Sequence, residues 1–325
     1  MAGASVESVT SAAPTKQFAF RLAERADDAA LRELLRETPM DGPVRVALCR
    51  EPSYFDAAAI EGPLHQTLIA IDQHSGKVVA MGVRSVRNRY IEGQATPVGY
   101  LSGLRILPKY RGGTLLARGY REMRRLHEDC AAIFYLTTIA DGNEQAAAAL
   151  TRGRAGLPRY RPLQKYHTLV IPLRRRATSR MENLPDGLQV RPLRDEELTA
   201  YLEFVTEVGR SRSFFPCYAA PDFSGPQATF RGLAASDIWT AWRGSQLVAC
   251  LGLWNQMGFK QNAVRGYRWD LRVGRFAFNP LARCLGWPRF PRSGQTLPAI
   301  TAALPLAAAR LAKMHVGCIP LAKVC

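Results

Sequence analysis

The run Pro108-Lys109-Tyr110-Arg111-Gly112-Gly113-Thr114 places two basic side chains and two adjacent glycines between an apolar, β-rich stretch and a helical one. The first backbone N–H groups of a helix have no partner within it, and the helix dipole adds positive potential there. A strand that turns directly into a helix therefore builds a site for anions such as phosphate. Gly112 and Gly113 permit unusual backbone angles and close approach of a ligand. Arg111, and with it Lys109, adds charge-assisted contacts to phosphate. The plainer reading is a strand-to-helix turn carrying an exposed arginine. A dinucleotide loop of the Rossmann kind needs parallel strands and repeated β-α units, whereas an antiparallel meander precedes this turn. No Gly-Lys-Ser/Thr follows, so it is not a P-loop.

Other reactive side chains read as structural. His127 falls on the apolar face of a helix, at the edge of a core. Cys130 lies between a helix and a strand with no ordered His or acid partner, which favours packing over nucleophilic chemistry. Trp239, Trp242 and Trp254 suit a core better than a ligand box. Phe259-Lys260-Gln261 is a less favoured candidate for lining an acceptor pocket. The seven cysteines are odd in number and scattered without a C-x-x-C pair, which argues against both a metal site and a disulfide framework and fits a reducing compartment.

The elements that must position the turn follow from periodicity. Residues 1–16 read as a flexible tail. Alternation from Phe18 predicts a strand, and Asp27 or Asp28 caps a helix bearing Leu31, Leu34 and Leu35 that Pro39 closes. Residues 44–48 read as a short strand, and 54–60 as a helical stretch ending at Gly62-Pro63. Strands follow at 67–71, 78–86 and 98–107, with turns at 72–76 and 92–94. Residues 116–128 form a helix with Leu116, Tyr120, Met123 and His127 on one face. A buried strand at 133–139, a helix at 143–150 and a last strand at 167–172 complete this half. Residues 173–187, with the run Arg174-Arg175-Arg176, read as a linker. At Leu188 the pattern restarts: a helix at 196–208, then strands at 238–242 and 247–254 around Arg243-Gly244-Ser245. Val190-Arg191-Pro192-Leu193-Arg194 and the acids after it resemble Phe20-Arg21-Leu22-Ala23-Glu24-Arg25-Ala26-Asp27-Asp28, which suggests an internal duplication. After Tyr267 the chain reads as irregular, ending on an apolar stretch with no clear strand. The expected organisation is a tail over 1–16, a first domain over 17–172, a linker over 173–187 and a second, incomplete domain over 188–325.

The stretch from Gly99 to Thr114, with the order of elements over 17–172, resembles motif A of the GNAT superfamily of N-acyltransferases. The resemblance implies an α/β fold of the α+β type: a mixed, mostly antiparallel sheet flanked by helices, followed here by a degenerate GNAT-like half. Glu51-Pro52-Ser53-Tyr54-Phe55, Tyr160-Arg161-Pro162-Leu163 and the segment from Trp254 to Gln261 are similar to a bacterial GNAT subgroup with such a second half. By resemblance, Leu104, Arg105 and Ile106 lie along the pantetheine arm of acetyl-CoA. Arg111, Gly112, Gly113, Thr114, Leu115 and Leu116 form the pyrophosphate loop, and Asn143 matches the asparagine that starts the next helix. The sequence departs from the family at Thr114, where a glycine is usual, and at Leu116, where a small residue is usual. Ser102 stands where many members carry a glutamate base, and Leu150 where many carry a tyrosine acid. Tyr160 and Tyr166 follow closely enough to replace that acid, so Ser102 and Tyr160 are the catalytic candidates. His65, Glu61 and Glu92 lie near strand ends on the acceptor side, though each also reads as an ordinary surface or core-edge residue. Acyl transfer survives a weak base when a deprotonated amine is well placed, because positioning alone lowers the barrier by roughly 7–11 kcal/mol in favourable cases.

The 44 lysines and arginines exceed the 27 acids, for a formal charge of +17. The basic residues are spread along the chain with no nucleic-acid motif, so nucleic acid is not expected as a partner, while a polyanionic ligand suits the charge. With 47% hydrophobic and 22% charged residues the composition is that of a globular protein. No signal peptide or bilayer-spanning stretch is recognised, so the expected setting is the cytoplasm, with no membrane partner. The expected activity is transfer of an acetyl or related acyl group from acyl-CoA to a small-molecule or peptide amine, by direct attack in a ternary complex. Acetyl-CoA is the donor substrate and no metal takes part. The alternative is a GNAT-fold protein that binds or senses acyl-CoA without turnover. A homodimer is left open.

Overall fold

The computed structural model describes residues 17–153, 156–165, 187–225, 228–287, 289–297 and 301–309. The first half opens with strand β1 (Phe18–Leu22) and helix α1 (Asp28–Glu37), whose Leu31, Leu34 and Leu35 are buried. After β2 (Val44–Cys49) come β3 (Leu64–Asp72), β4 (Val78–Ile91) and β5 (Gln94–Ile106), then α2 (Leu115–Asp129), β6 (Tyr135–Leu136) and α3 (Glu144–Thr151). One sheet runs in the order β1-β3-β4-β5-β6, antiparallel except for the parallel β5–β6 pair. Its apolar core packs α1 and the start of α2 against the strands through Leu31, Leu34, Ile69, Val79, Met81 and Leu115. This is the mixed, mostly antiparallel fold class expected from the sequence.

The second half restarts with β7 (Leu188–Pro192), α4 (Leu198–Arg210), β8 (Ile238–Arg243), β9 (Gln246–Trp254), β10 (Gln261–Tyr267), α5 (Trp269–Cys284) and β11 (Thr301–Ala309). Its sheet has the order β11-β9-β8-β7. The internal likeness is visible in hydrogen bonds. In the first half, Arg21 pairs with Asp27 at 2.6 and 2.8 Å, and Glu24 N donates to the same carboxylate at 2.8 Å. In the second, Arg191 pairs with Glu197 at 2.7 and 2.6 Å, and Arg194 N donates to it at 3.1 Å. Two residues after each arginine a backbone N–H reaches the neighbouring strand, Ala23 to Thr67 O and Leu193 to Ile238 O. Asp27 thus caps the turn before α1 by accepting from the backbone three residues back, while Asp28 accepts from Tyr54 N.

The halves are tied together. β2 leaves the first sheet and pairs antiparallel with β10. Gln261 clamps both backbone groups of Glu51, accepting from its N–H at 3.0 Å and donating to its carbonyl at 2.9 Å. The end of β4 exchanges backbone bonds with the segment 214–217: Phe214 N to Tyr90 O, Tyr90 N to Phe215 O and Cys217 N to Asn88 O. Arg87 bridges to Asp222 and Thr229. The second core accordingly holds Ala57, Ile60 and Tyr90 alongside Tyr201, Phe204, Phe215, Phe230 and Trp254.

Several expectations are corrected. Residues 54–60 form two 3-10 turns, Phe55–Ala57 and Ala59–Glu61, because Ala57 and Ile60 must both turn into the second core. The run 133–139 contributes only a two-residue strand, and Ile133 is exposed. Beyond Tyr267 the described residues include two regular elements, α5 directly after β10 and β11 pairing with β9. Cys130 and Trp239 are exposed rather than packed, while Trp242 and Trp254 are buried as expected. The expected tail over 1–16, strand at 167–172 and all but Gly187 of the linker at 173–187 lie outside the described residues, as does Tyr166.

Candidate active site

The parallel pairing of β5 and β6 covers only Gly99 with Tyr135 and Tyr100 with Leu136. Past Tyr100 the two chains part, and only side chains still span the gap: Thr137 Oγ1 donates to Leu101 O at 2.7 Å, and the Tyr100 and Thr138 hydroxyls bond at 2.6 Å. The closed end of this wedge is fixed. The Tyr135 ring lies over Gly99, where a Cβ would come within 2.2 Å of it. The fully buried Arg84 donates to the Tyr135 hydroxyl, to Gln66 and to the Cys130 carbonyl. His127 Nδ1 bonds the same hydroxyl at 3.0 Å, in keeping with its structural reading. Charge-assisted bonds inside a sheet are strong, so the wedge opens from a rigid root.

A bulge aims the open part. Between Val83–Ser102 and Met81–Arg105 the register gains one residue on β5. Gly103 sits there at φ +60°, with an added Cβ 2.9 Å from Val83, so only glycine fits. A bulge bends its strand and breaks the local ladder. The result is a cavity of about 230 Å³. Ser102, Leu104, Arg105 and Ile106 form one wall, Thr137 to Ala140 with Asn143 and Leu150 face it, and Leu115, Leu116, Gly119, Tyr120 and Met123 of α2 close it. Among the described residues the edge of β5 along this wall pairs with no strand, while side chains of Thr137, Arg105 and Arg111 donate to the carbonyls of Leu101, Leu104 and Ile106.

The basic turn stands at the mouth. Pro108–Tyr110 is a 3-10 turn held by Tyr110 OH donating to Asp72 at 2.8 Å. Arg111 is exposed, and its Nε donates to Ile106 O at 3.0 Å while Nη1 reaches Gln145 at 3.3 Å, spanning the rim from β5 to α3. Gly112 takes φ +87°, and Thr114 is the N-cap of α2 without a side-chain cap bond. The first N–H groups of α2 therefore have no partner within the helix and none from the Thr114 side chain. Asn143 caps α3 by accepting from Ala146 N at 3.1 Å. Leu104, Arg105, Ile106, Leu115, Leu116 and Asn143 thus line the cavity, whereas Arg111, Gly112, Gly113 and Thr114 are not among its lining residues.

Ser102 is not alone. Its Oγ donates to Glu61 Oε2 at 2.8 Å, which brings a carboxylate from the 3-10 turn to the place on β5 where the strand itself lacks one. Behind this pair, Tyr54 OH bonds Thr67 at 2.9 Å and His65 Nε2 bonds the same hydroxyl at 3.2 Å. Burial holds the Arg50 guanidinium below its usual pKa, while the charge of Glu61 pulls it upward. Burial likewise pushes the Tyr54 phenol well up. Tyr160 does not line the cavity. Its hydroxyl bonds Tyr120 OH at 2.6 Å, and Tyr120, like Tyr100, lines the cavity. Burial raises both phenols, Tyr120 further, so both stay protonated at neutral pH. Phe259 and Gln261 serve the second core and the Glu51 clamp, not this cavity.

No family model and no curated protein matches the chain. Among solved structures it is similar to an acetyltransferase of Trypanosoma brucei, at 16% identity over 47% of this chain and 99% of that one, with a TM-score of 0.35. Glucosamine-6-phosphate N-acetyltransferase of Arabidopsis thaliana is similar at 13% over 47% and 100%, with a TM-score of 0.33. An aminoglycoside 6'-N-acetyltransferase of Acinetobacter haemolyticus is similar at 18% over 47% and 99%, with a TM-score of 0.35. The order of elements, the mostly antiparallel sheet and the strand that turns through Pro108 into α2 match the arrangement that the resemblance in the sequence implies for the first half.

Proposed function

We propose that the chain is an N-acyltransferase of the GNAT type, moving an acetyl or related acyl group from acyl-CoA to an amine in a ternary complex. The observation that carries this reading is that one cavity joins the β5 edge at Leu104 to Ile106 to Ser102, whose hydroxyl bonds Glu61. Leu104, Arg105 and Ile106 would hold the pantetheine arm along that edge. Arg111 and the backbone of Gly112 to Leu116 would hold the pyrophosphate at the start of α2. Glu61, through the Ser102 hydroxyl, would take a proton from the amine as its nitrogen bonds to the acyl carbon. The carbon–sulfur bond then breaks, and Tyr120, backed by Tyr160, would protonate the departing thiolate. The missing strand glutamate favours a second reading, an acyl-CoA-binding protein without turnover.

Calorimetry with acetyl-CoA tests the donor site. The wild type should bind, and Arg111→Ala should weaken binding about tenfold, the size of one charge-assisted phosphate contact. Equal affinity in both proteins, or binding by neither, would remove the loop assignment. A thiol-release assay over an amine panel separates the readings, since binding without release on any amine leaves the non-catalytic one.

A further inference from the structure

Helix α5 presents its apolar side to solvent. Trp269, Val273 and Phe276 are 77%, 66% and 71% exposed, and with Pro280 they follow the i, i+4, i+7, i+11 spacing of a single helical stripe. Leu281 widens it on one side and is also exposed, as is Leu285 just past the end of the helix. Arg272 and Arg283 run along the other side. The packed side of the helix carries Phe278, Asn279 and Ala282 instead. The chain after α5 is fastened back rather than loose. Asn279 bonds both the N–H and the carbonyl of Phe290 at 2.9 and 3.1 Å, and Tyr267 OH donates to Pro291 O at 2.7 Å. That return holds half-exposed Trp287 and exposed Arg289 and Arg292 in the same region.

We propose that this surface docks on an anionic lipid bilayer, with α5 lying in the headgroup layer. A stripe of Trp, Val, Phe and Leu edged by arginines is the composition of an interfacial helix, which buries its apolar side in the acyl boundary and sets its cations among headgroups. Charge decides the occupant. Residues 261–297 hold seven arginines and one acid, Asp270, which already pairs with Arg268 at 2.6 Å. A second copy of the same surface would set arginines against arginines. An anionic leaflet meets both the stripe and its rim. Among the described residues no helix is long and apolar enough to cross a membrane, so α5 lies on the bilayer without spanning it. Membrane contact departs from the expectation drawn from the sequence, where this region read as irregular.

The test is co-sedimentation of the full chain with vesicles of phosphatidylcholine alone and of phosphatidylcholine with phosphatidylserine. The wild type should bind the anionic vesicles at least about tenfold more tightly, losing that preference as salt rises. Trp269→Ser with Phe276→Ser should lower binding at least about tenfold, and Arg272→Glu with Arg283→Glu should remove the preference for the anionic vesicles. Unchanged far-ultraviolet circular dichroism in both variants excludes misfolding. No vesicle binding by the wild type, or equal binding by the folded variants, overturns the proposal. So does a salt-sensitive complex with duplex DNA that outcompetes the vesicles, or a dimer that the double serine variant dissociates while vesicle binding is absent.

Discussion

At the scale of single residues, the contact with the most consequence is the 2.8 Å bond between Ser102 and Glu61. A hydroxyl alone is too weak a base to relieve an ammonium of its proton at neutral pH, but a hydroxyl that hands its proton to a carboxylate is not. Glu61→Gln should therefore lower kcat about 10²- to 10⁴-fold, the range for a lost general base, with acetyl-CoA affinity unchanged. Ser102→Ala should cost less, since water can replace the hydroxyl. Steady-state kinetics beside calorimetry checks both, and an undiminished kcat in Glu61→Gln would remove the carboxylate from the mechanism. This partnership was only half legible. Ser102 followed from its place on the strand before the turn. Glu61 stood among three candidate acids and bases, and nothing in a linear sequence tells that a 3-10 turn folds it onto a residue 41 positions later.

At the scale of elements, the strands and helices of the first half declared themselves by period and punctuation, from the Leu31-Leu34-Leu35 face to the Glu92-Gly93 turn. What failed did so for stated reasons. Residues 133–139 carry a strand's composition, yet pairing stops at Leu136 because the chains must diverge to make the wedge. α5 was hidden by Gly274 and Pro280, which lower helix propensity, and by a stripe whose spacing cannot say whether it faces core or solvent. The repeated Arg-to-acid turn was legible as a likeness and gains energetic content in the fold. Arg191 holds the Glu197 carboxyl down to about 2 from its ordinary 4.5. A carboxylate with a depressed pKa contributes stability that is fully present above about 4.5 and is lost as the pH falls through about 2. The melting temperature of the wild type should thus fall more steeply between these pH values than that of Glu197→Gln, as scanning calorimetry would record. Parallel slopes would mean that the turn adds no pH-dependent stability.

At the scale of the whole molecule, the two halves share a core around Tyr90 and a two-stranded sheet. All five tryptophans, Trp239, Trp242, Trp254, Trp269 and Trp287, lie in the second half, so their fluorescence reports on it alone, while acyl-CoA binding reports on the first. Tyr90→Ala removes a buried aromatic at the junction and should cost roughly 3–5 kcal/mol. In urea, tryptophan fluorescence and acetyl-CoA binding should be lost together and at a lower concentration than in the wild type. A fluorescence transition that shifts while donor binding keeps its midpoint would mean that the halves unfold separately. The pairing of β2 with β10 was not legible, because Val44–Cys49 carries no mark of a partner more than 200 residues away.

That pairing also sets a clock on synthesis. Cys49 emerges from the ribosome 212 residues before Gln261, the strand partner it meets in the finished protein. At roughly 5–20 residues per second, β2 waits about 10–40 s with its backbone edge open. An unpaired apolar edge held that long on a nascent chain is the kind of surface that chaperones shield and that neighbouring chains on a polysome can capture.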